Sequence, residues 1–218
     1  MNDNELIWES YLNKRKMKVL IACECSGVVR EAFRKKGHDA ISCDIKPSED
    51  GGNHYTGSVF DIINDGFDLM IAHPPCTFLT VTGNRWFKPE YKHLYPTRER
   101  DREDAIEFFM DLYNSNIPKI CVENPVGVMN TIFRKPDQII QPYQFGHEAI
   151  KKTCLWLKNL PKLTHTKIVD KGEIVVSKSG KRMSKWYMDA WKLSKQERST
   201  VRSRTFQGIA DAMADQWG

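Results

Sequence analysis

The sequence predicts an α/β fold, a mostly parallel sheet with helices on its faces, and three observations carry that prediction. Four short, mainly apolar runs, at residues 19–22, 40–43, 69–72 and 120–122, the third of them unbroken, read as interior strands covered on both sides rather than as half-solvated ones. Helix-period segments at 28–36 and 98–116 fall between them, so strand and helix alternate along the chain. The runs end abruptly, on a glycine-containing turn, an aspartate, a Pro-Pro pair and a Glu-Asn-Pro, as strands do where an open sheet presents its carboxyl edge.

Residues 1–16 read as an amino-terminal extension with one apolar anchor, Ile7 and Trp8. The first strand covers 18–23. Glu24, Cys25, Ser26 and Gly27 then turn the chain into an amphipathic helix over 28–36 whose inner face is Val29, Ala32 and Phe33, and Gly37 suits its C′ position. The second strand, 40–43, stops at Asp44. This order, strand, glycine turn, helix, strand, acid, is the first half of a nucleotide-binding βαβ unit, although the GxGxxG pattern is absent. Residues 47–57 read as a polar loop, and 58–63 as a short element around Val59, Phe60 and Asp61.

Residues 67–80, FDLMIAHPPCTFLT, organise the chain. Pro74 and Pro75 lack the N–H that a strand ladder needs, so the strand stops there and Cys76 stands on a stiff loop at its carboxyl end. A thiol so placed is a candidate nucleophile; the alternative is a half-buried cysteine beside a structural turn. The loop over 80–96 carries Arg85, Trp86, Phe87, Tyr91, His93 and Tyr95, a mixture suited to stacking on a base and equally to pinning the loop on the core. Ala105, Ile106, Phe109, Met110 and Tyr113 form the apolar stripe of the helix over 98–116, and the RERDRED run at its start reads as a solvated face. The strand at 119–122 delivers Glu123-Asn124-Pro125 at its carboxyl end, a carboxylate on the same edge as Cys76. Later strands are expected at 139–140 and 153–157. Residues 159–203 are polar, basic and weakly periodic, and 206–217 closes the chain as an amphipathic helix with Ile209, Ala210, Met213 and Ala214 inward.

At 218 residues the chain suits one domain with a small appendage. No run of about 18 apolar residues is present, so no membrane span is expected, and the polar start MNDNELIWESYLNKRK does not read as a secretory leader. Six scattered cysteines favour reduced thiols in the cytoplasm, and the Cys23/Cys25 pair lacks the second ligand pair that a zinc site needs, so no metal is expected. Net charge is +5, and the excess is uneven: from Lys151 onward there are fifteen Lys or Arg against six Asp or Glu. A basic carboxyl third suits a polyanion such as nucleic acid, or is simply a solvated face.

A Pro-Pro-Cys after one strand and a Glu-Asn-Pro after another have a coherent joint use. Carbon 5 of cytosine is too weak a nucleophile to take a methyl group until a thiolate adds at carbon 6, and a carboxylic acid at ring nitrogen 3 promotes that addition. In these motifs the chain resembles the DNA (cytosine-5)-methyltransferase family. PPCTFLT, residues 74–80, is similar to its catalytic PPCQxFS loop, and ENP, 123–125, to its ENV motif. GSVFDI, 57–62, resembles its GDI segment, Asp44-Ile45 its ribose-binding acid with the following apolar residue, and residues 204–217 its last motif.

The resemblance implies a Rossmann-like S-adenosyl-L-methionine (SAM)-dependent methyltransferase fold. It implies Cys76 as nucleophile, Glu123 as acid and Asn124 as positioner of the Cys76 loop. It places SAM against Cys23, Ser26, Gly27, Asp44, Ile45, Phe60, Asp61 and Pro74. Three departures stand out: the family's FxGxGG loop is represented here only by Gly27, Thr77 follows the cysteine where the family has glutamine, and the arginines of its QxRxR segment are missing. Lys151-Lys152 stands near their expected place, and either lysine could supply the positive charge at the base's oxygen 2, with Lys152 the catalytic candidate.

The resemblance also divides the chain into a catalytic domain at 17–158, a small basic insert at 159–203 where the family carries its target-recognition domain, and a returning helix at 204–218. Arg85, Lys151, Lys181 and Arg182 are the candidate nucleic-acid contacts. The compact form is similar to small phage- or prophage-borne members, a host origin being equally open, and restriction-modification, regulation and phage modification all stand as settings. The expected partner is DNA; RNA or a free pyrimidine nucleotide remains open for the same chemistry, as does a non-catalytic SAM- or nucleic-acid-binding module. An amino-methyltransferase is disfavoured, because histidine and cysteine flank the prolines where those enzymes carry D/N-PP-Y/F.

Overall fold

The computed structural model describes residues 15–177 and 180–218, so all but the last two residues of the amino-terminal extension, Ile7 and Trp8 included, lie outside the described residues. Its strands are β1 Lys18–Ala22, β2 Asp39–Asp44, β3 His54–Thr56, β4 Leu69–Ala72, β5 Lys119–Pro125, β6 Gln138–Ile140, β7 Thr153–Lys158, β8 Ile174–Val176 and β9 Arg182–Ser184. Its helices are α1 Val28–Lys35, α2 Arg98–Asn114, α3 Met129–Ile132, α4 Lys185–Ala190, α5 Lys195–Ser203 and α6 Gln207–Trp217. Seven strands form one sheet in the order β3-β2-β1-β4-β5-β7-β6, in which β7 alone runs against the rest, and β8 and β9 form a separate hairpin. The architecture is the Rossmann-like, mostly parallel sheet flanked by helices that the sequence predicts.

Alternate residues of each strand feed two cores, which is why the runs are mainly apolar. Val19, Ile21, Leu69, Ile71, Cys121, Leu155 and Leu157 face one side, under α1 and α6. Leu20, Ala22, Met70, Ala72, Ile120, Val122, Cys154 and Trp156 face the other, under Phe109 and Leu112 of α2. Trp156 is wholly buried, and its indole N–H donates to the Arg134 carbonyl at 2.9 Å. The small residues Ala210 and Ala214 let α6 settle against α1, so the chain's last helix returns beside its first. None of the described helices is long and apolar enough to cross a membrane.

Four details differ from the sequence expectation. Residues 54–56, inside the expected polar loop, add a short edge strand to β2. The fifth strand does not stop at Val122 but carries Glu123, Asn124 and Pro125 in its ladder, because the antiparallel β7 supplies partners up to Thr153. The RERDRED run is not all solvated. Arg98 is buried, donates to the Gly83 carbonyl at 3.3 Å, and lies 4.8 Å from the Phe87 ring centre. The basic insert folds into the β8–β9 hairpin, α4 and α5.

A buried arginine ties the first βαβ unit to the loop beyond it. Arg30, with no exposed side-chain surface, donates to Ser42 Oγ and Glu31 Oε1, each at 2.8 Å, and pairs with Asp50. The bond from Arg30 holds the Asp50 carboxyl far below the usual carboxylate range. Asp50→Asn leaves a desolvated guanidinium short of an anion. Because Asp50 is itself 37% exposed, the expected cost is only about 1–2 kcal/mol, read as a lower urea midpoint near neutral pH. The lowered folded-state value means this stabilisation is full above Asp50's unfolded value of about 3.9 and fades as the pH falls below it. The difference between variant and wild type should therefore narrow in acid.

Candidate active site

The strand order reverses between β1 and β4, and a sheet opens its ligand crevice at the carboxyl ends on either side of such a point. The two strands stay joined past their ends, as His73 N–H donates to the Ala22 carbonyl at 2.9 Å. From β4 the chain passes through His73, Pro74 and Pro75 to Cys76; from neighbouring β5 come Glu123 and Asn124.

Side chains fix the two motifs to each other. Asn124 is buried and donates through Nδ2 to the Pro74 carbonyl at 2.8 Å, holding the proline step across the sheet edge. Glu123 Oε2 lies 3.0 Å from His73 Nδ1, with the two side chains 15% and 11% exposed. An ionised carboxylate only accepts, so His73 Nδ1 is the donor, and the ring's other nitrogen is Nε2. That Nε2 is buried without a hydrogen-bond partner among the described residues. A cavity of about 10 Å³, room for one water, lies beside it, lined by His73, Glu123, Lys151, Thr153, Thr205 and Phe206 among others.

Burial would push Glu123 upward, but the His73 hydrogen bond, with the charges of His73 and Lys151, holds it below the ordinary range. Burial pushes the Cys76 thiol up, as does the charge of Glu123, whereas Lys151 and Arg202 draw it down. The charges of Glu123, Lys151 and Arg202 thus all bear on the Cys76 thiol.

The loop beyond Cys76 is clamped from both sides. Leu79 and Thr80 N–H groups both donate to the Cys76 carbonyl at 3.1 Å, and Val128 N–H donates to the Leu79 carbonyl at 2.8 Å. Arg102 donates to the Phe78 carbonyl at 2.9 Å and to Asn84 Oδ1 at 2.7 Å, and stacks 3.4 Å from the centre of the Phe87 ring. Trp86 packs edge-on against Tyr91 and Tyr95. The aromatics of residues 80–96 therefore pin the loop to α2, and Arg98 and Arg102, one turn apart on that helix, are the pins. A Cβ at Gly127 would overlap the Leu79 carbonyl, backbone against side chain with no flexible end to yield. Gly127→Ala is expected to shift the Cys76 loop, at a cost of roughly 1–3 kcal/mol in stability and with a disproportionate loss of Cys76 reactivity. Thermal unfolding together with the thiol's alkylation rate measures both.

The predicted donor residues line the adjoining edge of β1, β2 and β3. Cys23 leaves β1 at φ 60°, a left-handed conformation uncommon for a cysteine; burial pushes its thiol up to about 12. Ser26 and Gly27 start α1, Gly27 at φ 73°, where a Cβ would strike Asp50 and the Arg30 guanidinium. Pro74 is buried between β4 and Asn124. Asp44 caps the Lys46 N–H at 2.9 Å, and the next side chain, Ile45, is 80% exposed. Phe60 is 42% exposed with its edge on Phe108. Asp61 Oδ2 accepts from Ser58 N–H and Tyr55 Oη, each at 3.1 Å. Exposed apolar side chains, Ile45 and Phe60, thus each adjoin a carboxylate in the chain, Asp44 and Asp61.

Of the two adjacent lysines, Lys151 lines the cavity with Glu123 and its charge bears on Cys76, while Lys152 is exposed and its charge bears on Cys154. Arg85 lies on the outer loop, 4.1 Å over Trp86, and Lys181 and Arg182 stand exposed on the hairpin.

Four contributors escaped the sequence reading. His73 signals itself only as a histidine before two prolines. Arg202 and Thr205 come from the far end of the chain. Glu24, buried, accepts from Val29 N–H at 2.9 Å and Arg30 N–H at 3.2 Å, satisfying the start of α1 from within.

No protein-family model matches the chain, and no curated protein matches it in sequence. Similar solved structures include the S. pombe Dnmt2 methyltransferase, 16% identical, covering 68% of this chain and 51% of that one at a TM-score of 0.44. They also include the bifunctional kinase-methyltransferase WbdD, 14% identical over 89% of this chain and 52% of that one at 0.35. A third is MtNAS in complex with MTA and tNA, 14% identical over 72% and 60% at 0.35. The chain spans about half the length of the first of these.

Proposed function

We propose that the protein is a SAM-dependent methyltransferase that methylates carbon 5 of cytosine in DNA. The observation that carries this reading is the pairing of Cys76 and Glu123 at neighbouring strand ends, with Asn124 holding the Pro-Pro step of one motif from within the other. A binding module has no need for a buried carboxylate acting on a thiol. SAM, held by Asp44, Ile45, Phe60 and Asp61, supplies an electrophilic methyl group on a sulfonium centre.

The chain's own residues then do the following. The Cys76 thiolate bonds to carbon 6 of the base, and the electron pair of the 5,6 double bond becomes available at carbon 5. Glu123, ionised in the free protein, takes up a proton from solvent as the base enters and delivers it to ring nitrogen 3, while His73 Nδ1–H, bonded to the other carboxyl oxygen, keeps the carboxyl oriented. Lys151, which lines the same cavity as Glu123 and whose charge acts on both Glu123 and Cys76, takes the position at the base's oxygen 2. After carbon 5 is methylated it loses its proton to solvent, the carbon–sulfur bond breaks, the 5,6 double bond returns, and nitrogen 3 gives its proton back to Glu123.

An oligonucleotide carrying 5-fluorocytosine tests this reading. With no proton at carbon 5 to lose, the thioether persists, so an adduct that survives denaturation is expected in the presence of SAM. An adduct on RNA and none on DNA would transfer the same chemistry to RNA. No SAM binding by calorimetry would end every methyl-transfer reading.

A further inference from the structure

The segment between the sheet and the last helix holds a regular arrangement that the methyl-transfer chemistry does not use. Tyr187, in α4, and Trp191, at its end, are one turn apart; Arg198 and Arg202, in α5, are likewise one turn apart. The guanidinium of Arg198 lies 4.7 Å over the Trp191 ring, and that of Arg202 lies 4.7 Å over Tyr187. The two rings are 6.2 Å apart. Two helices thus build a ladder of two arginine–aromatic rungs.

The outer rung opens to solvent, with Trp191 52% exposed. The inner rung meets the site: the Arg202 carbonyl accepts from Lys151 Nζ at 2.8 Å, Lys151 lines the cavity with Glu123, and the Arg202 charge acts on Cys76. The acids of this unit are engaged elsewhere. Asp189 pairs with Lys192 and Glu173 with Lys185, and Glu197 accepts the Ser194 N–H. Neither Arg198 nor Arg202 pairs with a carboxylate among the described residues, so both guanidinium charges remain available to an anion.

We propose that this ladder is the track along which an unpaired DNA strand reaches Cys76, with bases stacking on Trp191 and Tyr187 and phosphates meeting Arg198 and Arg202. Aromatic faces with interleaved cations hold single strands without reading base edges. An insert of two short helices and a hairpin of two three-residue strands offers little to enter a groove or to fill the gap a flipped base leaves in a duplex. An unpaired cytosine needs neither. The inference rests on the cytosine reading above.

Fluorescence anisotropy, without SAM, of a labelled cytosine-containing oligonucleotide of about twelve nucleotides tests it. The unpaired DNA should bind at least about tenfold more tightly than the same sequence in duplex at equal salt. Trp191→Ala should weaken it about tenfold, Trp191→Phe should retain most of the affinity, and Arg198→Gln should lower the salt slope by about 0.7. SAM binding and thermal unfolding should be unchanged in all three variants, which separates a lost track from a lost fold. Tighter binding of duplex or of RNA, or an effect of Trp191→Ala within twofold, overturns the proposal. The two readings fail separately. Binding that follows the ladder without an adduct removes the cytosine chemistry alone; an adduct on unpaired DNA that Trp191→Ala leaves unaltered removes the ladder alone.

Discussion

Replacing Cys76 by serine is expected to abolish the 5-fluorocytosine adduct and to lower methyl transfer by about 10⁴-fold or more, since serine's hydroxyl is not ionised where a thiol can be. Fold and SAM binding should survive, because Cys76 stands on a loop whose clamps are backbone carbonyls and the side chains of Asn124 and Arg102. Burial and then Glu123 push the Cys76 thiol up, so the adduct rate of the wild type should keep rising with pH beyond the ordinary thiol range of about 8.5. Arg202 draws the thiol down; Arg202→Met should therefore move that rise to higher pH. An adduct forming in Cys76→Ser at the wild-type rate would remove Cys76 from the chemistry. A flat pH profile would show that ionisation of the thiol does not limit it.

Glu123→Gln is expected to lower methyl transfer by about 10²–10⁴-fold, the range for loss of a positioned acid. The substitution keeps the shape, and the glutamine carbonyl can still accept from His73 Nδ1, so the change removes the transferable proton and leaves the contact. His73 holds Glu123 below the ordinary carboxyl range, so in the free protein the pair stabilises the fold above the unfolded carboxyl value of about 4.3 and weakens as the pH falls below it. Stability measured against pH should lose that acid-side slope in Glu123→Gln. A variant that keeps its methyl-transfer rate within about threefold would leave nitrogen 3 without need of Glu123, and the proton would then have to come from elsewhere.

Much of the sheet was legible because its strands are buried on both faces, which demands apolar runs such as Leu69-Met70-Ile71-Ala72 whatever the partner. The same holds for the carboxyl-end motifs. A proline pair stops a ladder in any context, so the place of Cys76 at a strand end follows from local chemistry. Longer-range partners were not legible. His73 and Glu123 lie fifty positions apart, and nothing near either announces the other. Whether Lys151 or Lys152 faces the site depends on where β7 begins and how it registers on β5. Arg98 and Arg102 look like members of a solvated charge run until the loop of residues 80–96 is folded over them.

Local sequence alone was enough to order β1, α1, β2, β4, α2, β5, β7 and α6, to place Cys76 and Asp44 at strand ends, and to mark the insert as polar and basic, because burial, backbone stereochemistry and charge act within a few residues. Only the tertiary structure decided that Asn124 grips Pro74, that His73 bonds Glu123, and that the Arg198–Trp191 and Arg202–Tyr187 rungs end beside Lys151. Those are contacts between elements, and the packing of one element on another selects them after local preferences have been satisfied.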